Sequence, residues 1–163
     1  MALTVHLKLK INGNDIEGES TISSMNREGT IECSSFSYAA LKPYRENDFS
    51  ISDPPQHSPI VIQERIDKST PLLLKALFQN EPMDWGEFRF YRPALGGSAS
   101  EEHFYTVLIE NGVILAVNQL SEDDLIAGAA ALPMMEEVSF GFKNITRTYQ
   151  IGGVPHTSIV NTG

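Results

Sequence analysis

The sequence predicts an all-β protein, a sandwich or a barrel, with one helix and one long loop. Three observations carry that expectation. Short runs of alternating apolar and polar residues recur along the chain, turn residues separate them, and helical periodicity occurs in only one place. The length of 163 residues suits a single domain of residues 1–163 that buries about 70% of its unfolded surface.

The first strand is the clearest. Leu3, Val5, Leu7, Leu9 and Ile11 are apolar, and Thr4, His6, Lys8 and Lys10 between them are polar, a period of two with one buried face. Such a run lacks the continuous apolar stretch of a cleavable signal, so the expectation is a soluble chain exported, if at all, without one. Residues 29–41 form the second strand. Ile31 and Cys33 share one parity, Phe36, Tyr38 and Ala40 the other, and a bulge near Ser34 and Ser35 would restore a common face. Further strands are expected at 60–66, 87–92, 103–109, 113–120, 137–142 and 145–151, about eight in all. In the last pair the apolar parity changes at Lys143 and Asn144, which requires a bulge or a bend. Asn111-Gly112 between two apolar runs predicts a two-residue hairpin, because both central positions of a type I′ turn need positive φ.

The helix is expected after Thr70 as its N-cap, with Pro71 in the first turn, and it stops before Pro82. Only Lys75 and Gln79 interrupt its apolar surface. Leu73 and Leu77, one turn apart on one face, are the expected contacts to the barrel or to another subunit. Residues 42–59 hold four prolines and read as a long, partly extended loop, a length that is usually functional or disordered. Residues 121–133 read as a short helical turn or excursion, and 152–163 as a flexible tail.

Chemistry is sparse. The four histidines, His6, His57, His103 and His156, lie far apart in sequence and lack metal-ligand spacing, so each reads as an ordinary exposed or half-exposed side chain. The motifs GxSxG, Walker A and GxGxxG are missing. Cys33 is the single cysteine, which excludes an intramolecular disulfide, and its parity places it on an apolar face as a small hydrophobe. The acidic pairs Glu101-Glu102, Asp123-Asp124 and Glu136-Glu137 read as solvated charges, because neighbours on a strand point to opposite faces. Phe88-Arg-Phe-Tyr-Arg92 reads as a core face with arginines outward. No catalytic residue, cofactor site or metal site is therefore expected. Twelve basic against twenty-one acidic residues give a net charge of −9, which disfavours nucleic acid, and no stretch is long and apolar enough for membrane insertion by a helix.

Three segments resemble the haemolysin-coregulated protein (Hcp) family: Asp15-Ile-Glu-Gly-Glu-Ser20, Ile66-Asp-Lys-Ser-Thr-Pro-Leu-Leu-Leu-Lys-Ala76, and Glu137-Val-Ser-Phe-Gly-Phe-Lys-Asn-Ile-Thr-Arg-Thr-Tyr149. They occur in the family's order between about residues 5 and 151. The resemblance implies a mainly β fold, an antiparallel β-barrel of about eight strands with one short α-helix beside it and a long extended loop. It implies a non-enzymatic subunit of the inner tube of the bacterial type VI secretion system, without cofactor. Its partners would be copies of itself in homohexameric, stacked rings, the sheath and spike-tip proteins, and effectors carried in the lumen. Assembly would occur in the bacterial cytoplasm before secretion.

The loop at 42–59 matches in position the loop by which family members reach a neighbouring ring or subunit. Tyr44 and Phe49 are its aromatic anchors, Arg45 lies beside Tyr44, and Pro54 and Pro55 limit the entropy lost on docking. These five are the expected ring-stacking or subunit contacts. The alternatives are a monomeric β-barrel binding or adaptor module and a contractile-phage tail-tube protein.

Overall fold

The computed structural model describes residues 3–48, 54–97, 100–121 and 133–160. Ten strands and one α-helix follow in order among them. β1 is Thr4–Ile11, β2 Asn14–Ile16, β3 Ile31–Ser37, β4 Ala40–Leu41, β5 Gln56–His57 and β6 Ile60–Arg65. The helix α1 is Thr70–Gln79, and β7 Met83–Pro93, β8 Glu101–Leu120, β9 Met135–Tyr149 and β10 Val154–Ile159 complete the chain. Every pairing is antiparallel. The sheet runs β9-β6-β3-β1-β7-β8, and β8 pairs back onto β9, so six strands close a barrel and leave no open edge in it. β2 adds to β1, β10 adds to β9, and β4 and β5 form a separate ladder.

The alternation of β1 works as expected on its inner side, where Leu7, Leu9 and Ile11 meet Ile31, Ile60, Ile62, Phe88, Ile109, Val138 and Phe140 in one core. The bulge near Ser34 is present, as a register shift between Cys33 and Ser35 against β6. It brings Phe36 onto the ring of Phe88. A similar shift between Phe90 and Tyr91 puts its extra residue, Phe104, on β8, so β7 keeps its alternation: Phe88 joins the core and Tyr91 is buried outside it, against His6.

The predicted hairpin at Asn111-Gly112 does not form. β8 continues through it as one strand of 20 residues, paired with β7 on one side and β9 on the other. Asn111 does adopt positive φ, 54°, but Gly112 does not, and a single left-handed residue bends a strand without reversing it. Gly112 serves close approach instead. A Cβ there would lie 2.2 Å from the Gly141 carbonyl oxygen of β9. The parity change at Lys143 and Asn144 lies opposite Asn111, where the pairing to β8 keeps one register from Glu110↔Asn144 through Gly112↔Phe142; the register shifts only further on, between Ile114 and Ala116. Two pairs of short expected strands are thus two long strands.

Helix α1 begins one residue away from the expected cap. Ser69 is the N-cap and makes no side-chain cap, and Thr70 is the first helical residue. Asp67 holds this start: its Oδ1 accepts from the Ser69 N–H at 2.8 Å, and Thr70 Oγ1 accepts from the Asp67 N–H at 3.1 Å. Asn80 ends the helix in the left-handed conformation. Residues 154–159, read from the sequence as tail, are a strand held along residues 144–149 of β9. The expected excursion at 121–133 lies almost wholly outside the described residues.

Candidate interaction surface

Two elements expected to make contacts, the loop and the helix, present their side chains differently. β4 and β5 pair Ala40 with His57 and Leu41 with Gln56, which clamps the two ends of the loop together. Further hydrogen bonds fix the base, from Ser58 N–H to the Ala39 carbonyl and from Ala39 N–H to Ser58 Oγ, both 2.8 Å. Beyond this base Tyr44 is 59% exposed, and Arg45, Pro54 and Pro55 are exposed as well. Phe49 lies outside the described residues.

On α1 the burial is one-sided. Leu73 and Ala76 are fully buried, and Leu77 packs partly against the core. Leu72 is exposed and Phe78 is 81% exposed. The second half of β8 also turns apolar side chains outward, at Val113, Leu115 and Leu120, and Met134 lies exposed just before β9. A strand buried on its inner face and apolar on its outer face calls for cover.

Three polar clusters, two of them buried and one half-buried, escaped the sequence reading. Glu136 is not a solvated charge: it lies 1% exposed beside Glu64, its cross-strand partner on β6, which is equally buried. Thr70 Oγ1 donates to Glu136 Oε1 at 2.6 Å, and Gln119 Nε2 donates to Oε2 at 3.3 Å. Burial and then the neighbouring Glu136 carboxylate push the Glu64 pKa up to about 10, so Glu64 is protonated at neutral pH. The signal was in the parity. Glu136 shares its face with Val138 and Phe140, and Glu64 shares its face with Ile60 and Ile62.

The second cluster lies outside β1. His6 is fully buried rather than exposed, its Nδ1 within 2.9 Å of Thr30 Oγ1 and its ring edge-on to Tyr91. Burial depresses its pKa. Arg27 covers Tyr91, with its guanidinium carbon 4.5 Å from the ring centroid, and pairs with Glu101. Glu102 likewise pairs with Arg92, at 2.8 Å. Residues 17–30 make this cover possible by folding back on themselves through bonds from Gly18 N–H to Gly29 O and Ser20 N–H to Thr30 O. Gly18 permits the close approach of the two segments, since a Cβ there would stand 2.5 Å from the Thr30 carbonyl oxygen.

The third cluster sits beneath the loop base, where Arg147 of β9 meets Tyr38, His156 and Ser158. Cys33 is buried, and burial raises its thiol pKa well above the ordinary value, which makes it a poor nucleophile. Among the described residues no group of three or more His, Cys, Asp or Glu side chains is placed to hold a metal ion. Among the same residues no helix is long and apolar enough to cross a membrane.

Comparison with known proteins fits this architecture. Residues 9–149 match the family model described as "Type VI secretion system effector, Hcp". The "Major exported protein" of Pseudomonas aeruginosa is 33% identical over 97 residues, 60% of this chain, and the match spans 55% of that protein's length. Among solved structures, Hcp1 of an enteroaggregative E. coli strain is 27% identical with a TM-score of 0.82, covering 97% of this chain and 99% of that one. A crystal structure of an Hcp protein superposes with a TM-score of 0.87 at 20% identity, over 99% of this chain and all of that one. Hcp3 of Pseudomonas aeruginosa shares the fold at a TM-score of 0.76 and 20% identity, over 99% of this chain and all of that one. With a closed six-stranded barrel, a flanking helix and a family match from β1 to the end of β9, this chain belongs to the Hcp family of type VI secretion system tube proteins.

Proposed function

We propose that the protein is a structural subunit of the inner tube of a bacterial type VI secretion system. Six copies close into a ring, rings stack into a hollow tube, and sheath contraction expels the tube with effectors in its lumen. The observation that supports this most directly is the apolar outer surface of a barrel already closed on itself. Phe78 and Leu72 on α1 and Val113, Leu115 and Leu120 on β8 face outward, where no further layer of this chain's described residues covers them. Neighbouring subunits supply that cover, and a heterologous contact between identical chains closes into a ring when its rotation divides the circle. Tyr44, Arg45, Phe49, Pro54 and Pro55 make the contact between rings, and the exposed flank of α1 that continues from Leu73 and Leu77 makes a contact between subunits.

Its work is mechanical and needs neither a catalytic centre nor a cofactor. Assembly takes place in the bacterial cytoplasm with sheath and spike-tip proteins as partners, and export proceeds without a signal peptide. Negative-stain imaging of the purified protein tests this reading. Rings with an open centre are expected, and a field of compact single particles would contradict it.

A further inference from the structure

We propose that the cleft between the loop base at β5 and the edge strand β10 is a binding site for an oxyanion, a carboxylate or a phosphate, gripped by Arg147. The cleft is open, about 490 Å³, and its wall includes His57, Arg147, His156 and Ser158, with Ala40 and Ile159 as apolar sides. Hydrogen-bond direction makes this site unusual. Arg147 has only N–H donors, so each of its partners must accept. Tyr38 Oη accepts from Nη1 at 3.1 Å, His156 Nδ1 accepts from Nη2 at 2.7 Å, and Ser158 Oγ accepts from Nη2 at 2.6 Å.

Tyr38 Oη also bonds His57 Nδ1, with either atom able to donate. His156, accepting at Nδ1, carries its proton on Nε2. Ser158 retains a hydroxyl proton. The cleft lining therefore includes the His156 Nε2–H, the Ser158 O–H and the unused guanidinium N–H groups, and no carboxylate is among its described lining residues.

Charge points the same way. Among the described residues Arg27, Arg89 and Arg92 each meet a carboxylate, from Glu101, Glu87 and Glu102 respectively. Arg147 is half-buried, its bonded partners are all neutral, and no carboxylate among the described residues lies within ion-pair distance of it. Burial and the nearby Arg147 charge hold the His57 pKa below its ordinary range, so the imidazole stays neutral and the guanidinium is the charge of the site. In a chain of net charge −9, a half-buried cation with no counter-charge among the described residues is complementary to an incoming oxyanion. Two sources share that chemistry: a free anion, and an acidic side chain of a second copy of this chain.

Titration of inorganic phosphate at constant ionic strength, followed by imidazole 1H–15N spectra of the four histidines, tests the first source. Saturable shifts of His57 and His156 are expected, with His6 unmoved and a dissociation constant at least tenfold weaker in Arg147→Gln. Sedimentation of the same variant tests the second source, for which at least tenfold weaker self-association is expected. The exposed His156→Ala variant repeats both measurements if Arg147→Gln fails to fold. Phosphate binding with unchanged self-association assigns a free anion, and weakened self-association assigns a carboxylate of a second copy. Neither effect in either variant overturns the site and leaves the ring intact, whereas phosphate binding by a chain that stays monomeric would sustain the site and sink the ring.

Discussion

Glu64 and Glu136 show how much one cross-strand pair asks of a small barrel. Two carboxyl groups side by side in a buried position cannot both ionise cheaply, and the structure settles this by protonating Glu64 while Thr70 and Gln119 donate to Glu136. The consequence for stability has a definite sign. The folded-state pKa of Glu64, about 10, lies above the ordinary carboxyl value of 4.5, so the native state holds a proton that the unfolded chain has released. Its contribution is complete below about pH 4.5 and is lost progressively as pH rises to about 10. Glu64→Gln keeps the shape and cannot ionise. Its melting temperature should therefore fall less between pH 5 and pH 10 than that of the unaltered protein, with the larger gap on the alkaline side. Parallel melting profiles would show that the pair does not titrate in this way. Cys33, buried on the neighbouring strand β3, is inert for a related reason, since burial disfavours its thiolate. Cys33→Ala should cost about 1 to 2 kcal/mol in urea denaturation and leave assembly unchanged.

At the scale of elements, helix α1 has a buried side and an exposed side, and substitutions separate packing from the proposed subunit contact. Leu73 is fully buried, so Leu73→Ala should cost about 3 kcal/mol of unfolding free energy by denaturant titration. Phe78 is 81% exposed, so Phe78→Ser should leave the monomer's melting temperature nearly unchanged and weaken self-association. The loop makes a parallel case. Tyr44→Ser should preserve six-membered rings and reduce stacking, read as tube length in micrographs; loss of the ring itself would move Tyr44 into the contacts within a ring. The strands of the barrel were legible from period-two alternation, down to the bulge at Ser34, because inward side chains must be apolar. The continuity of β8 and β9 was not. Asn-Gly reports a need for positive φ, yet whether the chain reverses depends on the second residue, and Gly112 is there to let β9 approach. Arg27 and His6 were equally hidden, since only the refolded segment at residues 17–30 makes the outside of β1 an interior. The cluster around Arg147 needed β10, which the sequence offered only as tail.

The whole molecule carries a charge of −9, so in the proposed ring six copies would carry −54, and stacked rings would repel one another. That repulsion would reach about 10 Å at 0.1 M salt and less at higher salt, whereas the apolar contacts proposed for Tyr44 would survive. Stacking should therefore strengthen as salt is raised from 0.05 to about 0.5 M, and weakening instead would indicate that ion pairs hold the rings together. The apolar side chains on the outside of the barrel make the broader claim that this fold is completed by its own copies. Native mass spectrometry at micromolar concentration measures that claim most directly. A dominant species at six times the 18.0 kDa chain mass is the predicted result, and a monomer at every concentration tested would contradict it.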